Sequence, residues 1–485
     1  MVEIELKFQI AAPRRNALLK ALDSKTSETI QLQAKYYDTA DRKLSAQGVA
    51  LRQRREGSQW IQTLKAAGQS HLHRFEHNLE MGETTPESVS MAPYLSHTEA
   101  NQILSNALGT LDQSLILQFE TDIQRTRRVV QFEEAEIEIS LDIGEIRTLT
   151  DRSDVYEVEF ELKSGSLQSM LSFCYEWVKK YQLWLDVRSK AEFGNLLARQ
   201  LSVSPATVDK AFQFNKKESA DYNLRLLVAH QLQHLLPNIA AISAQLATPE
   251  HIVQAQQALQ HLHLSISILK DWSEGISSKW AAQLSAFKQH FENLQHFEHM
   301  QATLAALLQN PKTAQSLDQD ILYGKEKLNN LVKSTQNVQH YLDLLMFSLA
   351  SSDKVQKQDL KHFAQNTLQQ QYKLLQESLS QVDLNELASL DLLALRLNEL
   401  KFSFPLLTSI YDVKNLQKYS KALHDAQQAA EQYHVLSASA SYLQESELEA
   451  SDWFALGWLT AKQEGYAEVL LTATEQFLVS RKFLK

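Results

Sequence analysis

The sequence predicts an α+β protein in which an N-terminal antiparallel β-barrel or sandwich precedes a separate all-α helical bundle. Three observations lead to this prediction. Several segments before residue 200 alternate apolar and polar residues with a period of two, which is typical of strands whose faces meet different surroundings. After residue 215, apolar residues recur every three or four positions, as in amphipathic helices. Only four of the 12 glycines lie beyond residue 200, so the second half has few turn signals.

The strand pattern is clearest in residues 2–8, 135–141 and 155–162. Short turns between such segments favour an antiparallel sheet, which can close into a barrel or stack as a sandwich. Two helices are predicted to interrupt the strands, at residues 13–24 and 167–183. We therefore expect residues 1–200 to form a β-domain with flanking helices.

The second half repeats apolar residues at helical spacing in residues 224–236, 253–272 and 416–436, which is the pattern of helices packed in a bundle. The polar stretch 201–220 separates the two patterns and is predicted to be a linker. The expected domains are therefore 1–200 and 221–485.

Composition limits the classes of function. The 485 residues carry a formal net charge of -10, and residues 1–200 and 201–485 each contain 24 basic and 29 acidic residues, which gives each part a charge of -5. Neither half resembles a basic nucleic-acid-binding module. The only cysteine, Cys174, excludes an internal disulfide, and neither a membrane-spanning run nor a signal peptide is evident. We expect a cytoplasmic protein that binds neither nucleic acid nor membrane.

Charged side chains concentrate on one face of each predicted strand, because residues two apart on a strand point the same way. The strands with acidic faces carry Glu3 and Glu5 with Lys7, then Glu136, Glu138 and Asp142, and then Glu157, Glu159 and Glu161. The strands with basic faces carry Arg52 and Arg54, Lys65, and Arg125 and Arg127.

If the sheet closes, these charged faces can line its interior. Such an interior must be wet and bind ligands, since unpaired buried charge is costly. Carboxylates suit hard cations such as Mg²⁺, whereas arginines and lysines suit phosphate oxygens. Both are needed for phosphoryl transfer from a polyanion.

A series of short motifs in the first 195 residues supports the prediction of a metal and phosphate site. They begin with Glu3-Ile4-Glu5-Leu6-Lys7 and continue through Tyr36-Tyr37-Asp38-Thr39, Leu51-Arg52-Gln53-Arg54, Thr63-Leu64-Lys65, Arg74-Phe75-Glu76, Asp142-Ile143-Gly144-Glu145, Glu157-Val158-Glu159-Phe160-Glu161 and Ser189-Lys190. In this order the motifs resemble the CYTH family, also called triphosphate tunnel metalloenzymes.

The resemblance implies an eight-stranded antiparallel barrel that forms a tunnel. It implies that one or two Mg²⁺ or Mn²⁺ ions are held by Glu3, Glu5 and one or more of Glu157, Glu159 and Glu161. It implies triphosphate binding by Lys7, Arg52, Arg54, Lys65, Arg125, Arg127 and Lys190. Catalysis would rest on Glu3, Glu5, Lys7, Glu159 and Asp142. Tyr36 and Tyr37 are interpreted as packing and wall residues.

The function that the resemblance favours is metal-dependent hydrolysis of inorganic triphosphate to pyrophosphate and phosphate. Thiamine or nucleoside triphosphatase activity and class IV adenylate cyclase activity remain alternatives, because they use the same phosphate-binding cage. A non-catalytic polyphosphate-binding sensor is a further alternative, which the carboxylates disfavour.

The helical half resembles the CHAD module, which is linked to polyphosphate binding through basic helices. Its basic positions are eroded here: Gln260–Lys270 retains only Lys270 as a basic residue at neutral pH, and Asn398-Glu399 stand where bases are expected. We expect weak polyphosphate binding or a protein partner.

His230 and His234 have metal-site spacing but no third ligand, so hydrogen bonding is the better interpretation.

Overall fold

The structure is a computed structural model that describes residues 2–86, 88–304, 311–350, 360–384, 386–411, 416–445 and 448–479. It contains a single sheet in the first part of the chain, followed by helices. The strands are β1 Val2–Ile10, β2 Glu28–Asp38, β3 Val49–Glu56, β4 Gln59–Ser70, β5 His73–Gly82, β6 Ile116–Phe132, β7 Ala135–Arg147, β8 Arg152–Ser164 and β9 Leu183–Leu185.

Eight of these strands form a closed antiparallel barrel. The strand order is β5-β4-β3-β2-β6-β7-β8-β1, and the pairing of β1 with β5 closes the ring. The short β9 adds to β1 at Phe8–Ile10. Closure leaves few unpaired sheet edges. The predicted α+β class, with an eight-stranded barrel followed by an all-helical region, is confirmed.

The strand register shows which side chains share a face. Residues directly opposite each other in antiparallel strands project to the same side of the sheet. Lys7 lies opposite Glu159, which lies opposite Ser140 on β7. Asp142 lies opposite both Glu157 and Arg125. One barrel face therefore collects charges from β1, β6, β7 and β8.

The other face of the barrel is apolar and is covered by helices. Phe8 and Phe160 are fully buried and stack edge to face, with ring centroids 5.6 Å apart. Trp177, on helix α4 (Leu167–Tyr181), packs on Phe160 at 5.4 Å. The apolar side chains of these strands are therefore buried on the outside of the barrel, beneath helices.

More helices flank the barrel than the two expected. Helix α1 spans Arg15–Leu22, α2 spans Lys43–Ala46, α3 spans Thr98–Leu108 and α5 spans Lys190–Ala198. The two predicted helices are present as α1 and α4, whereas α2, α3 and α5 were not predicted. For α3 the reason is local. Its N-cap is His97, whose Nδ1 accepts a hydrogen bond from the backbone N–H of Ala100 at 3.2 Å. Histidine is not among the usual N-cap residues that mark a helix start in a sequence.

Helix α5 packs against an apolar group of barrel side chains. This group contains Leu32, Ala34, Tyr36, Phe119, Ile123, Ile146 and Val155, and the α5 residues Ala191, Phe193 and Leu197 pack on it. Phe193 also lies beneath the ammonium of Lys7, 5.6 Å from its ring centroid. Because Lys7 is on the charged face, α5 brings apolar surface next to the charged interior.

The remaining helices follow one another along the chain. They are α6 Ala220–Ser243, α7 Pro249–Ile268, α8 Trp280–Leu304, α9 Pro311–Val332, α10 Thr335–Leu349, α11 Leu360–Ser380, α12 Ser389–Thr408, α13 Leu416–Glu445 and α14 Ala450–Val479. In the described part of the chain, no helix combines the length and apolar character needed to cross a bilayer.

The chain divides into two compact units. The first contains Met1–Thr207, Gln233–His251 and Asn330–Met346, and the second contains Val208–Leu232, Ile252–Asn329 and Phe347–Lys485. Residues 199–219 contain no helix or strand. The domain boundaries 1–200, 201–220 and 221–485 remain a prediction.

Gly194 offers a test of how closely α5 packs on the barrel. A Cβ at this position would lie 2.1 Å from Cε2 of Phe119. We predict that Gly194→Ala lowers the free energy of unfolding of the barrel by about 1–3 kcal/mol, the usual cost of overpacking. Differential scanning calorimetry measures the change.

The matched control is Gly465→Ala in α14, where a new Cβ would meet nothing within 4 Å. There the substitution is expected to stabilise by about 0.5–1 kcal/mol, because alanine is the better helix former. A stabilising Gly194→Ala would contradict the close contact with Phe119.

Candidate active site

The charged face of the barrel gathers three groups of side chains. The first is a carboxylate cluster, Asp142, Glu157 and Glu159. One ligand oxygen from each lies within 4.8 Å of the others, and this is the one such potential metal-binding group in the described residues. Asp142 and Glu157 are almost completely buried. Strands β7 and β8 supply the cluster, so its spacing follows from the register of one antiparallel pair.

Lys190 neutralises this cluster from α5. Its Nζ lies 2.6 Å from Asp142, 2.5 Å from Glu157 and 2.8 Å from Glu159. Burial alone would lower the pKa of Lys190, but the three carboxylates raise it well above its usual range. Burial raises the pKa of Glu157. Lys190 therefore stays charged at neutral pH and holds the cluster together.

Arg125 is the second cation of the cluster. Its guanidinium donates to both oxygens of Asp142 at 2.6 Å and to Glu159 at 2.5 Å. Such fork-shaped contacts are among the stronger charge-assisted hydrogen bonds. Burial opposes ionisation of Asp142, yet Lys190 and Arg125 lower its pKa below the usual value. Lys7 adds an ion pair with Glu157 at 3.4 Å.

A second group joins β1 to β4 and β5. Lys65 contacts Glu3 at 2.6 Å and Glu76 at 3.0 Å, and Arg74 contacts Glu5 at 3.1 Å. Burial raises the pKa of Glu3 to about 8. Burial also opposes ionisation of Glu76, but Lys65 lowers the pKa of that carboxyl to about 2. The two carboxyls that share Lys65 therefore differ in their affinity for a proton.

The third group is a cationic cage on β3, formed by Arg52 and Arg54. Arg52 donates to the hydroxyl of Tyr36 at 3.2 Å. Arg54 pairs with Glu56. The Nε atoms of both arginines are buried and have no hydrogen-bond partner among the described residues. Burial, followed by the nearby charge of Arg52, lowers the pKa of Arg54 to about 10. Two buried guanidiniums with unused donors attract an anion.

Two of the residues suggested by the sequence lie apart from these groups. Arg127 contacts Glu28 at 2.9 Å; the side chain of Glu28 is exposed and that of Arg127 is partly exposed. Glu161 contacts Lys163 at 2.8 Å, although it is opposite Glu5 in the sheet. The other suggested residues, Glu3, Glu5, Lys7, Arg52, Arg54, Lys65, Arg125, Asp142, Glu157, Glu159 and Lys190, all belong to the three groups.

Arg74, Glu76 and Tyr36 belong to the site although the sequence analysis gave them no binding role. Arg74 and Glu76 follow the same period-two rule as the recognised residues, and their register opposite Glu3 and Lys65 places them on the charged face. Alternation along β5 could have identified them. Tyr36 and Tyr37 are adjacent on β2, so their side chains point to opposite faces of the sheet. The pairing of Tyr36 with Arg52 shows that Tyr36 is the one on the charged face.

The donor set suits a hard divalent cation. Three carboxylates from β7 and β8 lie close enough to share one ion, and oxygen ligands are what Mg²⁺ and Mn²⁺ prefer. Glu3 and Glu5 on β1 are further carboxylate donors on the same face. His230, by contrast, makes local contacts: its Nε2 donates to the carboxylate of Asp209 at 3.1 Å and to the carbonyl of Lys210 at 2.8 Å.

Comparison with known proteins agrees with the barrel and its motifs. Residues 1–192 match the model of the CYTH domain family. An inorganic triphosphatase from Haemophilus influenzae is 32% identical over 201 residues, which are 40% of this chain and 54% of that protein. The chain thus spans about half the length of this curated relative.

Two solved structures show partial similarity to this chain. The CHAD domain from Ricinus communis is 14% identical, with a TM-score of 0.46, and the match covers 57% of this chain and 96% of that chain. A putative adenylyl cyclase from Hippeastrum with a dominant triphosphatase activity is 18% identical, with a TM-score of 0.32, and the match covers 42% of this chain and 98% of that chain. The predicted resemblance to the CYTH family is confirmed by the family match over residues 1–192.

Proposed function

We propose that the barrel hydrolyses inorganic triphosphate to pyrophosphate and phosphate with the help of Mg²⁺ or Mn²⁺. The observation that carries this proposal is the pairing of a carboxylate cluster with a cationic cage on one barrel face. Asp142, Glu157 and Glu159 form the cluster, and Arg52 and Arg54 keep unused donors in the cage. The name of the relative from Haemophilus influenzae, an inorganic triphosphatase, supports the same reaction.

Each group has a separate task in this proposal. The carboxylates would hold a divalent cation, which would supply charge neutralisation at the phosphates and a more acidic bound water. Arg52, Arg54 and Arg125 would bind and orient the phosphate oxygens, because planar guanidiniums match phosphate geometry. Lys7 and Lys65 would add charge along the chain of phosphates. Apolar α5 side chains such as Phe193 would limit water next to the charges.

The charged interior is costly to bury without a ligand, which also favours a binding role. The cations and carboxylates on this face are mostly joined in ion pairs in the protein itself. A purely structural barrel would be as stable with apolar side chains of similar volume at these positions. The retained charges are therefore better explained by a charged ligand than by stability.

The proposed location is the cytoplasm, where the buried free thiol of Cys174 would remain reduced.

The helical region is proposed to bind polyphosphate weakly. Several of its cations already contact acids: Lys288 with Glu292, Arg396 with Glu399, Lys401 with Glu431 and Lys325 with Glu298. Paired cations release fewer counterions when a polyanion binds.

The first test is phosphate release from tripolyphosphate, thiamine triphosphate and ATP, each with Mg²⁺, Mn²⁺ or EDTA. We expect tripolyphosphate to be the best substrate and EDTA to abolish turnover, because the carboxylates need a metal to act. Faster turnover of an organic triphosphate would change the assigned substrate. Undiminished turnover in EDTA would contradict the metal-dependent mechanism.

Glu159→Gln tests the carboxylate cluster. It removes one charge next to Lys190 and Arg125, and we expect kcat to fall about 100-fold or more, the scale of preorganised electrostatic groups. Circular dichroism checks that the variant remains folded. The control is Asp154→Asn on the same strand, since Asp154 is exposed and outside the cluster. Equal activities of the two variants would show that Glu159 is not part of the active site.

Arg54→Ala tests the cationic cage. Loss of a charge-assisted contact worth about 1.5–3 kcal/mol should raise KM for tripolyphosphate at least tenfold. The neighbouring Arg55→Ala is a matched control, because Arg55 is exposed on the opposite face of β3. If both substitutions raise KM equally, the effect is one of overall charge and the cage assignment is wrong.

Polyphosphate binding tests the helical region. We expect calorimetric titration of the full chain with long-chain polyphosphate at 0.15 M salt to show only weak binding beyond that of the barrel. Competition with pyrophosphate distinguishes the barrel from the helices. Strong binding that pyrophosphate does not displace would show that paired cations such as Lys288 are available after all.

A further inference from the structure

Lys190 occupies the position that a bound cation would occupy among the three carboxylates. Its ammonium is within 2.8 Å of Asp142, Glu157 and Glu159 at once. All three contacts are short enough for charge-assisted hydrogen bonds. One side chain thus supplies the positive charge that a cluster of three buried acids requires.

The backbone of Lys190 is fixed, whereas its side chain can rotate. Lys190 is the first residue of α5, and the hydroxyl of Ser189 caps the helix by accepting from the N–H of Glu192 at 3.1 Å. Gly194 fixes the same helix against Phe119. The four-carbon stem of lysine can therefore move its ammonium without moving α5.

A divalent cation and this ammonium cannot share the cluster. Mg²⁺ binds carboxylate oxygens at about 2.0–2.1 Å, so it would compete with Lys190 for the carboxylate oxygens of this cluster. Two cations at such short separation repel each other strongly in a buried site. Occupation of the cluster by a metal therefore requires Lys190 to leave it.

The neighbouring cationic cage indicates where the ammonium would go. Burial on its own would raise the pKa of Tyr36, but Arg52 first, and then Lys190 and Arg54, lower it. Lys190 is thus close enough to act on the hydroxyl that Arg52 contacts at 3.2 Å. Ala191, the next residue along α5, packs on the apolar group of side chains that contains Tyr36.

We propose that Lys190 competes with the divalent cation for the Asp142–Glu157–Glu159 cluster, and that the metal releases Lys190 to bind a phosphate oxygen of the substrate. This inference rests on the proposed function of the barrel as a metal and triphosphate site. The proposal implies positive coupling between metal binding and phosphate binding. The metal releases Lys190, which can then bind phosphate; a bound phosphate in turn keeps Lys190 out of the metal site.

The experiment measures Mn²⁺ affinity without any phosphate present, by calorimetric titration of wild type, Lys190→Met and Lys190→Gln. Removal of the competing ammonium should tighten Mn²⁺ binding about tenfold or more, given the cost of leaving a buried charge unpaired. Unchanged or weaker Mn²⁺ binding in both variants would overturn the proposal. A lysine that only contacts phosphate would leave this affinity unchanged.

Two details keep the result interpretable. Both variants are purified with Mn²⁺, which can replace the missing charge, and are then dialysed. Thermal unfolding should rise more with Mn²⁺ in the variants than in wild type, and an equal rise would overturn the proposal. Lys163→Met is the matched control, because Lys163 contacts Glu161 and Glu138 outside the cluster. Its Mn²⁺ affinity should equal that of wild type.

The same variants separate this inference from the proposed function. Pyrophosphate binding is measured with Mn²⁺ and with EDTA. Lys190→Met should weaken pyrophosphate binding only when Mn²⁺ is present, since the ammonium is held by carboxylates otherwise. Equal weakening in EDTA would overturn the inference. Failure to hydrolyse any triphosphate would overturn the proposed function and leave the competition between Lys190 and Mn²⁺ to be judged by the titration.

Discussion

The arrangement of the barrel interior depends on how buried carboxylates are neutralised. Asp142 and Glu157 are buried almost completely, and a lone buried carboxylate would take up a proton to avoid the cost of desolvation. Lys190 and Arg125 prevent this by direct contacts with Asp142. Because Lys190 comes from α5 and Arg125 from β6, the ion pairs also fix the helix and the strands around one point.

The closed sheet makes this neutralisation possible. In this barrel, the basic strand β6 pairs with the acidic strand β7, and β1 pairs with β5, which places Arg74 opposite Glu3. The outer face is apolar and packs on helices, as Phe160 does against Trp177. The alternation of apolar and charged residues along each strand therefore buries apolar side chains outside the barrel and concentrates charge inside it. Such an interior would offer a charged ligand donors that are already oriented.

Much of this organisation could be predicted from the sequence, because period-two alternation identifies strands and the residues that share a face. The alternation could not decide which of Glu157, Glu159 and Glu161 act together. That choice depends on register, which sets Asp142 opposite Glu157 and leaves Glu161 beside Lys163. Nor could it predict α5 as the source of a counter-cation, since the approach of Lys190 depends on tertiary packing at Gly194. Arg74 and Glu76 could have been identified by the alternation along β5, but their partners Glu3 and Lys65 follow only from the sheet register.

The central claim is that the charged barrel face is a joint site for a divalent cation and a chain of phosphates. Crystals grown with Mn²⁺ and pyrophosphate test it directly through the anomalous signal of manganese. The account predicts a manganese peak at bonding distance, about 2.0–2.2 Å, from carboxylate oxygens of the Asp142–Glu157–Glu159 cluster or of Glu3 and Glu5. It also predicts phosphate density against Arg52 and Arg54. Manganese and pyrophosphate bound only outside the barrel would contradict it.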